Sequence, residues 1–140
     1  MGAGAWRTQV GINHVGAYQV SGRPYVTGSV DSANRGGPIE ISFPKVARWI
    51  QVINKDTTND LKVGFSSFGI VNTFNFFTVP KADVDANGAT GNSGILELKV
   101  SSVFLSGSTN VDVLAGLTNI ATETLSSSVG TNWSGSAGVG

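Results

Sequence analysis

The stretch Ile39-Glu-Ile-Ser-Phe-Pro-Lys-Val-Ala-Arg-Trp-Ile-Gln-Val-Ile-Asn54, followed after a polar interval by Leu61-Lys-Val-Gly-Phe-Ser66, decides the fold class. In its first five residues Ile39, Ile41 and Phe43 alternate with Glu40 and Ser42. Successive side chains of an extended chain point to opposite faces, so this period of two marks a half-buried strand. Further on, Ile50 and Val52 share one face while Trp49 and Ile53 take the other, so strand 48–54 needs cover on both faces. Leu61, Val63 and Phe65 then alternate with Lys62, Gly64 and Ser66. The interval Lys55-Asp-Thr-Thr-Asn-Asp60 is made of turn formers, and it predicts a hairpin joining strand 48–54 to strand 61–66.

The same reading extends in both directions. Strand 73–79 carries Phe77 and Val79 on one face and Phe74 and Phe76 on the other. Residues 95–105 read as one long strand, with Leu96, Leu98 and Val100 inward and a phase slip at Ser101-Ser102 that predicts a bulge. Val111, Val113 and Ala115 mark the last strand, and strands 17–21 and 25–30, split by Gly22-Arg23-Pro24, open the series. Val and Ile are abundant, at 17 and 8 residues, and no stretch of helical length shows a 3.6-residue period. Eight strands in about 100 residues predict an all-β domain, an antiparallel two-sheet β-sandwich with the jelly roll as its expected topology. An immunoglobulin-like sandwich is the alternative, without the Cys and Trp hallmarks of that fold.

A chain of 140 residues is enough for one core. Only 18 residues are charged, nine of each sign, while Gly, Ser, Thr and Asn together number 58, so the surface is largely uncharged and polar. Zero net charge with scattered Lys and Arg removes the term that drives most nucleic-acid binding. The absence of cysteine excludes disulfides, thiolate zinc sites and cysteine nucleophiles. Residues 1–7 lack the pattern of a secretion leader, no apolar run approaches the roughly 18 residues of a membrane span, and Trp6 stands where a myristoylation motif needs Ser or Thr. No membrane partner is expected.

Candidate chemistry is sparse. His14 is the one histidine, and no Gly-x-Ser-x-Gly elbow accompanies it. Glycoside hydrolysis needs two carboxyl groups at a set separation, and of the three glutamates Glu40 and Glu97 fall on solvent-facing strand positions. The glycines of 135–140 lack the Lys-Ser/Thr ending of a phosphate loop. No enzyme and no small-molecule substrate is expected, and no cofactor beyond a calcium ion. Asp83-Val-Asp-Ala-Asn-Gly88 matches the opening of a D-x-D-x-N-G calcium loop, with Asp83, Asp85 and Asn87 as candidate ligands. The twelfth position is Gly94 instead of Glu, so an EF-hand is excluded, and the competing reading is a polar loop turning on Asn87-Gly88. Asn132-Trp-Ser134 has the form of a glycosylation triplet, discounted without a secretion leader.

The composition divides the chain into an N-terminal arm over 1–16, a β-sandwich over 17–118 and a C-terminal arm over 119–140, where residues 126–140 are uncharged and Gly/Ser-rich. Arms of this kind are ordered only when something holds them. A neighbouring subunit is the simplest holder, with Trp6 and Trp133 as anchors; the alternative is that the arms wrap their own domain. Trp49, Phe74, Phe76 and Phe77 are the remaining candidate interface residues, for which an intramolecular core is the competing explanation.

Over residues 38–118 the strands 39–54 and 61–66, with Leu96-Glu-Leu-Lys-Val100 and Val111-Asp-Val-Leu-Ala-Gly-Leu-Thr118, resemble in style the small jelly-roll structural proteins of icosahedral virions. These are the minor capsid, cement and vertex proteins of double-stranded DNA viruses and phages. The resemblance implies assembly without chemistry: a virion location, a homo-oligomer, and other capsid proteins as partners. It carries over no site residues. The alternative function is a carbohydrate- or receptor-binding β-sandwich module, whose stacking platform would require Trp6, Trp49 and Trp133 to converge.

Overall fold

The computed structural model describes residues 23–82 and 91–122, with the backbone of 126–127 and 130–131. In chain order the elements are β1 (Arg23–Val30), β2 (Ile39–Asn54), β3 (Leu61–Gly64), α1 (Ser67–Asn72), β4 (Phe76–Val79), β5 (Gly91–Asn92), β6 (Val100–Ser106), β7 (Val111–Leu117), β8 (Ser126–Ser127) and β9 (Gly130–Thr131). Every pairing is antiparallel, as the alternation predicts for an all-β chain. Seven strands form one open sheet in the order β1-β7-β2-β6-β3-β4, with β5 added to β2, and β8 pairs β9 separately.

The organising element is β2, which at 16 residues unites the strands expected at 39–43 and 48–54. Its first half pairs β6, from Ile39 opposite Leu105 to Ser42 opposite Ser102, and its second half pairs β7, from Trp49 opposite Gly116 to Asn54 opposite Val111. Between Ser42 and Ala47 it advances five residues against two of β6, from Ser102 to Val100. Pro44 falls inside this irregular stretch. Proline has no N–H to give to a ladder, and strands accommodate it at bulges, which bend the chain. The gap between the strands expected at 39–43 and 48–54 is therefore an irregular stretch within one strand.

Buried side chains from both halves of the sheet form one cluster, with Phe43, Ile50 and Val52 of β2 against Leu61 and Val63 of β3, Val103 and Leu105 of β6, and Val111 and Val113 of β7. Fully burying each such aliphatic residue contributes about 1.5–3 kcal/mol. The chain remains attached beyond β7: Val46 N–H donates to the Ile120 carbonyl at 3.0 Å, and the Ile120 side chain is fully buried.

Three expectations are corrected. Strand 48–54 does not form a hairpin with strand 61–66, because β6 lies between β2 and β3. The polar interval is instead a crossing loop wound around Asp56: the Asp56 carboxylate accepts N–H bonds from Thr58 (2.8 Å) and Asn59 (3.1 Å) in its own loop, and from Thr109 (2.9 Å) across the sheet end. The long strand 95–105 begins only at Val100. Before it, Leu96 makes an isolated two-way bridge to Ile50, at 2.8 and 2.9 Å, which preserves the inward phase of Leu96 without a continuous ladder. Strand 73–79 shortens to β4, since α1 occupies Ser67–Asn72 and Asn75 precedes the first paired residue. The bulge expected at Ser101-Ser102 coincides with a change of phase, since both Ser102 and Val103 are buried. The extra residues lie on the partner strand β2. Strand 17–21 lies outside the described residues.

Candidate functional site

Two places on the described surface invite a functional reading: a polar knot at one end of the sheet and an apolar corner beside β4. The knot is centred on Asn54, wholly buried at the end of β2. Its Nδ2 donates to the carbonyls of Asn59 (3.0 Å), Val79 (3.2 Å) and Pro80 (3.2 Å), and its Oδ1 accepts from Asp56 N–H (3.1 Å) and the Ser108 hydroxyl (2.7 Å). Ser32 and Ser108 are joined by three hydrogen bonds, Ser108 N–H to Ser32 Oγ and both the N–H and the hydroxyl of Ser32 to the Ser108 carbonyl. The Asp56 carboxyl is held far below the usual carboxylate range, first by Thr109 N–H, then by Thr58 N–H, Asn59 Nδ2 and the Thr109 hydroxyl. These donors and acceptors face one another, and the arrangement closes four loops instead of presenting groups to a ligand. It is a structural hub.

The apolar corner is different. Ser66 caps α1, its hydroxyl accepting from Gly69 N–H at 2.9 Å, and Thr73 Oγ1 donates back to the Gly69 carbonyl at 2.9 Å. Ile70 is the buried side of the helix. It rests on Gly64, where an added Cβ would lie 2.8 Å from Ile70 Cγ1 and 3.2 Å from the Asn75 carbonyl. Gly64 is the register partner of Phe76, so α1 lies beside Phe76 on the outward face of β3 and β4. On that face the Phe76 ring is 6.3 Å from Phe74 and receives Lys62 Nζ at 4.9 Å. Phe68 and Val71, three residues apart on the solvent side of α1, are 61% and 62% exposed, and Phe74 is 93% exposed. From Val63 to Pro80 there is no charged residue.

Of the expected interface residues, the structure brings Phe74 and Phe76 together at this corner and turns Phe77 inward, packed against the core. Trp49 is half-buried in β2, and its neighbour Arg48 reaches Glu97 at 3.6 Å. Trp6, Trp133, His14 and the loop ligands Asp83, Asp85 and Asn87 lie outside the described residues. Among the described residues no group of three His, Cys, Asp or Glu side chains could hold a metal ion, and no helix is long and apolar enough to cross a membrane. Sequence reasoning missed Phe68 and Val71, because a six-residue helix is too short to show a period. The one available signal was Ser66-Ser67 ahead of an apolar run, the composition of a helix N-cap. Comparison with protein-family models, curated proteins and solved structures finds no match.

Proposed function

We propose that this protein is a non-enzymatic structural subunit of a virion, a minor capsid, cement or vertex protein that self-assembles or stabilises a shell through apolar surfaces and its terminal arms. The observation that carries the reading is the corner of Phe68, Val71 and Phe74, three large apolar side chains more than half exposed in an uncharged stretch. Large apolar side chains left this exposed within one short segment are the kind of surface that contact sites on soluble proteins use. The virion assignment rests on the resemblance of residues 38–118 to jelly-roll capsid proteins. In the same reading the sheet folds across the bulged β2 into a two-layer, jelly-roll-like sandwich. A core cluster that draws on β6 and β3 from one side of β2 and on β7 from the other supports this.

The test is light scattering after size-exclusion chromatography of the full chain and of a chain lacking residues 1–10 and 126–140, with and without calcium. Mass spectrometry of purified virus particles accompanies it. An oligomer, or co-assembly with capsid proteins, that is lost with the arms is the expected result. Two monomers that behave alike, and no copies in particles, would overturn the reading; specific binding on a glycan array would then favour a carbohydrate-binding module.

A further inference from the structure

Away from the knot and the apolar corner, the outward side of β1, β7 and the second half of β2 is a further apolar surface. Residues paired across an antiparallel ladder share a face. Tyr25, Ala115 and Ile50 make one such row on the core side. The rows on either side of it, Pro24-Gly116-Trp49 and Val26-Leu114-Gln51, therefore face outward. Trp49 and Leu114 are half-buried there, and Gly116 puts no side chain between Pro24 and the indole. Leu96 bridges Ile50 and packs on the core, so Ile95 before it stands on the outward side, next to Gln51. Val26 and Ile95, on opposite flanks of the face, are 67% and 64% exposed. Charge is confined to the two ends and is paired at each, Arg48 with Glu97 at 3.6 Å and Lys55 with Asp112 at 3.0 Å.

We propose that residues 10–20 of the same chain, which lie outside the described residues, cover this face. The inference goes beyond the assembly reading and does not depend on it, since residues 1–9, with Trp6, stay available to a neighbour. The point of attachment carries it. The N-terminal segment joins β1 at Arg23, opposite Leu117 and one residue before Pro24, at the border of the Trp49 row. Pro24 and the register shift between Thr27 and Val30 guard the edge of β1 against a further paired strand, which leaves the face as the apolar surface nearest to the segment. Composition agrees. Val10, Ile12, Val15, Tyr18 and Val20 fall within eleven residues, and no Asp, Glu, Lys or Arg occurs from Thr8 to Gly22. The C-terminal segment fits less well, with Leu125, Val129, Trp133 and Val139 spread over 123–140. It also departs in another direction, since Thr118 N–H donates to the Val46 carbonyl at 2.8 Å and Ile120 is fully buried. Reach is ample: three strand spacings make the face about 14 Å wide, and eleven extended residues span up to about 36 Å. A tethered segment meets its own face at a roughly millimolar effective concentration, so in dilute solution the chain's own segment prevails over that of another copy.

The experiment uses the full chain and takes advantage of its lack of cysteine. Ile95→Cys places a nitroxide on the flank of the face far from β1, where it broadens the NMR amide signals of residues held near it. Phe74→Cys, at a side chain 93% exposed just before β4 at the opposite edge of the sheet, is the control label. With the label at 95, the amides of residues 10–16 are expected to lose about half or more of their intensity, and to regain it when Val15→Asp and Tyr18→Asp are combined, because an unpaired carboxylate is not held against an apolar face. The label at 74 is expected to leave them sharp. A mixture of isotope-labelled chain without nitroxide and nitroxide-bearing chain at natural abundance is expected to show no loss. Signals of residues 10–16 that are as sharp with the label at 95 as in the double Asp variant overturn the proposal. Broadening of equal size in the mixture assigns the face to the segment of a second copy and likewise overturns it. Light scattering of the same samples reads assembly separately, so the two readings fail independently.

Discussion

The Ser108 hydroxyl donates a 2.7 Å hydrogen bond to Oδ1 of Asn54, joining the turn before β7 to the last residue of β2 with both side chains wholly buried. Among the described residues, Asn54 is the one side chain that reaches the Asn59, Val79 and Pro80 carbonyls together. Replacing it by Leu keeps the volume and strands those acceptors, and buried unsatisfied groups cost about 1–3 kcal/mol each. Asn54→Leu is expected to lose about 3 kcal/mol and Ser108→Ala about 1–2 kcal/mol. Urea unfolding measures both, and a double variant that loses less than the sum shows the two acting through one network.

The pH dependence follows from Asp56. Its folded carboxyl is held below the unfolded value of about 3.9 by Thr109 N–H first and by its other donors. A lowered folded pKa means the unfolded state takes up protons first, so the contribution is complete above the unfolded pKa and is lost as the pH falls through it toward the folded value. Stability should be level near neutrality and decline below about pH 4. Asp31 is lowered in the same direction, chiefly by Asn34 Nδ2, and adds to the decline. Asp56→Asn is expected to be less stable at pH 7 but to show a shallower decline in acid. Urea midpoints between neutral and acid pH read both, and equal slopes in wild type and variant would refute the assignment.

Gly64 is a packing requirement of α1. A methyl group there would press on Ile70 Cγ1 and on the Asn75 carbonyl, and overpacking of this kind costs about 1–3 kcal/mol. Gly64→Ala should lower the unfolding temperature and speed amide exchange at Gly69, the N–H that Ser66 caps. Adding Ile70→Ala should recover part of the exchange protection, because one of the two clashing groups is removed.

Ser29 is the described non-glycine residue with positive φ, at 55°. Its N–H donates to Asp112 Oδ1 at 3.0 Å, and the same oxygen pairs Lys55 Nζ at 3.0 Å, so the bulge is held by a charge already fixed on β7. Ser29→Gly keeps that hydrogen bond and relieves the left-handed strain of an L-residue. After the extra unfolded-state entropy of glycine, a net gain of about 0.5 kcal/mol is expected in thermal or urea unfolding.

The sequence by itself determined the all-β class and the inward face of most strands, because alternation is local: Ile39, Ile41 and Phe43, then Val111, Val113 and Ala115, point inward whatever they meet. It also singled out Phe74 and Phe76, whose place in an uncharged run is visible without coordinates. Only the tertiary structure decided which strands pair. Ser108 and Asn54, or Gly64 and Ile70, carry no mutual signal along the chain, and the insertion of β6 between β2 and β3 is a long-range choice that the period of two cannot express. The same holds for the apolar corner: Phe68 and Val71 share the solvent side of one turn only because six residues close into a helix capped by Ser66 and seated on a glycine, and a segment of that length is helical through its cap and its packing more than through its own propensity.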